Sequence, residues 1–507
     1  MELNLKKAVL DCYEPAMDLT LTQEETAETI VPDSCPDIAR IIDTEGKVFL
    51  HSRELRDGKA ELSGTVKITV LYLPDGEEGI RTLDFAVPFT ASGEGKATCL
   101  VAEAALESVD SRLLNPRKIL TRCRLISRLT GYQKQALPYC GDVVDCDPGL
   151  GIEKRLDCQH TRAITQLAQK DFTFSDELTL SAGKETIDGI LLSKVRSTIG
   201  ETKVIGSKLV VKGIFFAEAL CRTVSGQYSV ATGELPFSQI LELEAPTETA
   251  DCQVLLQATG MDFQLNTGDK RTIDVTLYLH TQAILREERE LTLLTDLYST
   301  AFDLTCEAAP LLLSDVSQTL TRRQSVRETL EIGVAAKAVL SVEVTCGAVT
   351  GERAGNVTTL HTTAHIRALY LDENDVPLVS ERRVDIAGEW ELAEDCPTVL
   401  RAVCGSEIAA SVSSVGIEVR FPVDFFAEIS SQKKKICLTA VKVDTDSPRD
   451  FSGQPSLVLR TLEQEEQLWD LAKRYGTTIA DILAANELES EAGLVRDKLL
   501  LIPRKRC

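Results

Sequence analysis

Residues 62–76 alternate Val66, Ile68, Val70 and Tyr72 with Thr65, Lys67 and Thr69. A period of two is the signature of a strand with one buried face, and Pro74-Asp75-Gly76 supplies turn chemistry at its end. Residues 361–375 repeat the design, with Ile366, Ala368 and Tyr370 on one face ahead of an Asp/Asn turn. Between them, residues 212–226 set Gly213, Leu220 and Gly226 where the first copy has Gly64, Leu71 and Gly76, with one inserted residue. This middle copy is the most diverged.

Each copy continues into a second strand that ends on a bulky apolar residue: Val87-Pro88-Phe89, Leu235-Pro236-Phe237 and Ala387-Gly388-Glu389-Trp390. A cysteine follows each one, at Cys99, Cys252 and Cys396, and then a longer alternating stretch at 117–126, 270–279 and 415–423. The pattern predicts a mainly β chain of three tandem antiparallel, sandwich-like modules over 1–140, 165–300 and 301–444. Linkers are expected at 141–164 and 445–455, where Pro and Gly gather. Short helices are expected at 35–42 and 186–192, ahead of the sheets.

The pattern changes after residue 455. Residues 456–460 read as a strand, and Leu468, Leu471, Ala472 and Tyr475 follow helical spacing. Gly476 is a natural helix stop, Thr477 or Thr478 a cap for a second helix over 479–486, and Pro503 closes a last strand. Residues 456–507 are thus predicted as a small βααβ domain.

Leu468-Trp469-Asp470-Leu471-Ala472-Lys473-Arg474-Tyr475-Gly476-Thr477-Thr478, the Asn486-x-Leu488 element, and Lys498-Leu499 with Leu501-Ile502-Pro503 closely resemble the LysM domain. That resemblance implies a shallow groove for N-acetylglucosamine-containing glycans between the loop before the first helix and the loop after the second. The family usually has Gly-Asp-Thr/Ser in the first loop, whereas this chain has Glu465-Glu466-Gln467. The change removes glycine's conformational freedom there. Pro36-Asp37-Ile38, Ile41, Lys47-Val48, the strand from Gly64 to Leu71-Tyr72-Leu73, and Pro116-Arg117-Lys118 resemble SPOCS domains. Three such modules ahead of one LysM look like a clostridial spore-coat morphogenetic protein. The resemblance implies a non-enzymatic scaffold in the mother-cell cytoplasm, recruited to the forespore surface. There it would bind the ATPase of the coat basement layer, and other coat proteins. The implied contact residues, for partner or glycan, are Glu465, Glu466, Gln467, Leu468, Trp469, Tyr475, Asn486 and Leu488. The alternative is a glycan-binding cell-wall protein.

Composition narrows the partners. The chain has 507 residues, and 78 acidic against 55 basic side chains give a net charge of −23, which disfavours nucleic acid and anionic membranes. Asp11 and Glu14 interrupt the N-terminal segment before an export-signal core could form, and no apolar run is long enough to insert in a membrane. The 15 scattered Cys read as reduced thiols of a cytosolic protein. No phosphate-binding loop or Gly-x-Ser-x-Gly elbow is present, and no cofactor is implied. His361 and His365 are read as sheet residues. Cys140, Cys146, Cys158 and His160 form an irregular Cys/His cluster, read as loop thiols over a metal site. The basic runs Lys433-Lys434-Lys435 and Arg504-Lys505-Arg506 are read as solubilising segments or docking points for an acidic partner.

Overall fold

A computed structural model describes the chain except for residues 145, 182, 248, 392–397, 451, 462–465, 491–498 and 505–507, and except for the side chains of Ser317 and Thr398. Cys396, Glu465, Lys498, Lys505 and Arg506 therefore lie outside the described residues. The fold is mainly β. Its first six strands are β1 (Leu5–Ile30), β2 (Ile38–Arg56), β3 (Lys59–Pro74), β4 (Arg81–Glu94), β5 (Cys99–Asn115) and β6 (Lys118–Val143). The next six are β7 (Ile152–Thr179), β8 (Ile187–Ile205), β9 (Lys208–Thr223), β10 (Tyr228–Glu242), β11 (Asp251–Leu265) and β12 (Thr272–Ser299). Eight more follow: β13 (Phe302–Leu330), β14 (Ala336–Cys346), β15 (Thr350–Ala354), β16 (Val357–Asp372), β17 (Pro377–Glu391), β18 (Thr398–Cys404), β19 (Ala409–Ser413) and β20 (Gly416–Pro448).

One pairing scheme occurs in each group. The long first and last strands pair antiparallel, as β1 with β6, β7 with β12 and β13 with β20. The last strand also pairs the one or two short strands just before it. The intervening strands form a separate sheet centred on β3, β9 or β16. In the first group the two sheets share one apolar core, with Val66, Ile68, Val70 and Phe89 from the smaller sheet and Ala102, Cys123, Leu125 and Leu129 from the larger. The other two groups have cores of the same make-up. Pro88 and Pro236 lie in β4 and β10, each with a single neighbouring strand, so their missing N–H groups leave no ladder bond unmade.

Two expectations fail here. Residues 35–42 and 186–192 are not helical; β2 begins at Ile38 and β8 at Ile187. Register shifts fall at Ile38/Arg40 and Ile41/Asp43, and again at Ile187/Gly189 and Ile190/Leu192. Each bulge adds a residue on one strand, so apolar side chains recur every three or four positions and imitate a helix. The expected linker 141–164 is mostly strand, with β6 ending at Val143, one 3-10 turn at Pro148–Leu150, and β7 starting at Ile152. Pro138 is accommodated because β5 stops pairing β6 at Tyr132, which leaves that side of β6 without a ladder partner.

Equivalent strands of the three groups meet at shared clusters. Leu71, Leu220 and Leu369, spaced at equal intervals along the chain, pack together with Ile80, Leu191, Leu192, Leu340 and Leu371. Leu3, Leu5, Cys140, Leu294, Leu297, Cys437 and Val441 close a second cluster among the long strands. The chain ends in β21 (Leu457–Thr461), α1 (Leu468–Tyr475), α2 (Ile479–Ala485) and β22 (Leu499–Pro503), with β21 antiparallel to β22. This is the expected βααβ order. No described helix is long and apolar enough to cross a membrane.

Candidate functional site

The C-terminal domain builds its core from Leu468, Leu471, Ala472, Ile482, Leu500 and Ile502. Gly476 closes α1 with a left-handed backbone, φ 64°, which favours glycine. Thr478 caps α2 by accepting a hydrogen bond from the Asp481 amide at 3.0 Å.

Trp469 is only 7% exposed, and what covers it lies far away in sequence. Its ring meets Tyr298 edge-on at a centroid distance of 4.9 Å, and its indole N–H donates to Asp296 Oδ2 at 2.7 Å. Lys473 donates to both oxygens of Asp296, at 2.6 and 2.8 Å. The Tyr298 hydroxyl donates to the Thr477 carbonyl at 2.8 Å. Burial would raise the Asp296 carboxyl, but the hydrogen bonds from Lys473 and Trp469 hold it below the usual range. The end of β12 is therefore a docking post for α1. No sequence signal marks Asp296 or Tyr298, because the contact joins segments separated by the whole third strand group.

The other expected contact residues divide by role. Leu468 is core. Asn486 is a clamp: its Nδ2 donates to the Ile482 and Leu501 carbonyls, both at 2.7 Å, and its Oδ1 accepts from the Leu501 amide at 2.8 Å. Tyr475 is half-buried beneath the Arg504 guanidinium, 5.0 Å from the ring centroid. Glu466 pairs with Arg460 at 3.0 Å and with Arg474 at 3.1 Å. Gln467 is exposed, at the N-cap of α1, and Leu488 is half-buried. Glu465 and most of the loop after α2 lie outside the described residues.

A second concave feature sits where the three strand groups meet. It is a cavity of about 350 Å3, walled by the apolar Phe215, Leu256, Met261 and Leu277 and by charged groups. At its edge Lys194 lies between Glu45 at 2.6 Å and Glu343 at 3.1 Å. These three residues occupy equivalent positions in β8, β2 and β14. Burial disfavours the Lys194 charge, but Glu45, Glu343 and Glu218 outweigh it and strengthen the ammonium. Arg367 reaches Asp43 at 3.2 Å. Burial, with some help from Glu45, pushes the Asp43 carboxyl up to about 6. A further buried pair, Arg286 with Glu428, links the second and third groups.

The expected SPOCS residues have structural work to do. The Arg117 guanidinium binds Asp37 Oδ1 at 2.7 Å and the carbonyls of Val31, Pro32 and Cys35 at 2.9–3.2 Å, fastening the β1–β2 connection. Arg271 does the same for the β7–β8 connection through the carbonyls of Ser181 and Lys184. Burial raises the thiols of Cys12, Cys123, Cys221 and Cys252, which leaves little thiolate at neutral pH. His365 lies 3.2 Å from Glu381. Lys433 pairs with Asp315 at 2.6 Å.

Residues 37–113, from the start of β2 to near the end of β5, match the family model described as SipL, SPOCS domain. Residues 461–503 match the LysM domain model. The chain thus carries a SPOCS domain and a C-terminal LysM domain, both binding domains. No curated protein and no solved structure matches it.

Proposed function

We propose that this chain, which joins a SPOCS domain to a LysM domain, is a non-catalytic scaffold of spore-coat assembly. Its partner in this reading is the ATPase of the coat basement layer, met at the forespore surface from the mother-cell cytoplasm, with the LysM domain supplying part of the contact. The observation that carries the reading is the presence of both domains in one chain. The second and third strand groups are taken as further SPOCS-like, sandwich-like modules, supported by their shared pairing scheme and evenly spaced Leu71, Leu220 and Leu369. The proposed contact rim is Glu465, Glu466, Gln467 and Leu488, with Trp469, Tyr475 and Asn486 shaping it from within.

The test is localisation of a fluorescent fusion during sporulation, with and without residues 456–507, paired with capture of the ATPase. The full chain should gather around the forespore and retain the ATPase, and the truncated chain should do both poorly. Equal retention by the truncated chain would remove the LysM domain from the contact. Failure of the full chain to gather at the forespore would reject the scaffold reading. The LysM match itself favours a second reading, glycan binding, which a measurable affinity of the full chain for chitin oligomers would establish.

A further inference from the structure

The irregular Cys/His cluster of the sequence comes apart in three dimensions, and part of it is rebuilt with a different partner. Cys140 is buried, its amide donating to Cys437 Sγ at 3.3 Å. Cys158 and His160, two residues apart on β7, project from the same face of the ribbon. Glu290 on β12 stands directly opposite His160 in the antiparallel register. Cys158 Sγ lies 3.9 Å from His160 Nε2 and 3.1 Å from Glu290 Oε1, and the three donor atoms all fall within 4.8 Å of one another.

We propose that Cys158, His160 and Glu290 form a surface site for a thiophilic divalent cation, zinc foremost. Metal–donor lengths of about 2.0–2.3 Å at tetrahedral angles set donor atoms about 3.5 Å apart, which the observed spacings bracket. Small side-chain rotations on a fixed two-stranded ribbon suffice to close the set. Among the described cysteines Cys158 is alone in being exposed, against the usual preference of a free thiol for the interior. Without a cation, the hydrogen bond to Glu290 raises the thiol. Binding exchanges that proton for the metal: the thiol S–H is lost, an S–metal bond forms, and one proton is released. One thiolate and one carboxylate then neutralise the dication. All three donors are exposed, so the fourth position opens to water or to a donor from another molecule. The nearby Asp157 adds negative potential without entering the donor set.

The test uses the full chain, reduced and stripped of metal, titrated with Co2+. One equivalent should produce a thiolate-to-cobalt charge-transfer band with tetrahedral d–d absorption and release one proton, and Zn2+ should then displace the cobalt and bleach the band with no further proton release. Cys158→Ser should abolish the charge-transfer band. His160→Ala and Glu290→Gln should each weaken binding by at least about tenfold, the loss expected even for an outer-shell partner. Unchanged far-ultraviolet circular dichroism confirms that these surface variants fold. No charge-transfer band in the parent protein, or one that survives Cys158→Ser, overturns the proposal.

Discussion

Asp43 shows how burial turns an ordinary side chain into a pH-dependent one. Its carboxyl is raised by burial, with Arg367 opposing and Glu45 assisting. In the folded state it therefore takes up a proton that the unfolded chain releases near pH 4. The stability this group contributes is fully present below pH 4 and is lost as the pH rises through about 6. Across that window the two-unit shift corresponds to about 3 kcal/mol. Asp43→Asn removes the dependence, so the stability of the parent relative to the variant should fall between pH 4 and pH 6 in denaturant titrations. Gly64 and Gly213 make the opposite point, because their value lies in what is missing. A Cβ at Gly213 would sit 2.3 Å from the Thr198 carbonyl and 2.7 Å from the Phe237 ring, and Gly64 meets Phe49 and Phe89 in the same way. The equivalent pair in the third group is Thr362 opposite Ile386, a smaller apolar partner.

At the scale of elements, the contact between α1 and the end of β12 is the most consequential. It rests on one aromatic pair, one indole hydrogen bond, one ion pair and one tyrosine hydroxyl. Asp296→Ala should release the LysM domain while leaving its own core of Leu471, Ile482 and Ile502 intact. The expected reading is a red shift of tryptophan emission as Trp469 meets water, with faster proteolysis in the 449–456 connection. Trp390, packed against Phe425 in another core, serves as the unmoved reference. Unaltered emission would show that the docking does not depend on Asp296. The alternating strands were legible as elements in the sequence, because a pleated strand writes its two faces directly into the residue order. The bulged starts of β2 and β8 were not, since two closely spaced bulges erase that period.

The whole molecule is held together where equivalent residues of the three strand groups converge. Leu71, Leu220 and Leu369 form an apolar contact, and the largely buried pair of Lys194 and Glu45, joined by the partly exposed Glu343, a charged one. Lys194→Met leaves two carboxylates facing each other without their cation. Removing one partner of a buried ion pair costs about 3–5 kcal/mol. Calorimetry should show a lower melting temperature and a transition that divides, as the strand groups lose their common centre. A single, unshifted transition would mean that the apolar cluster alone couples them. The net charge of −23 fits this arrangement: a large acidic surface keeps the molecule soluble, while the few buried cations are spent on internal pairing.

The sequence alone determined what is local: the strand periodicity, the repeated turns, the caps of the two short helices, and the βααβ order of the C-terminal domain. Each depends on residues within a few positions of one another, so residue order suffices to read it. The tertiary structure decided that Trp469 faces Asp296 and Tyr298, that Lys194 lies between Glu45 and Glu343, and that Cys158 and His160 meet Glu290 instead of Cys140. These contacts depend on strand register and on the packing of segments far apart in the chain, and charge or periodicity at any one of the positions carries no record of its distant neighbour.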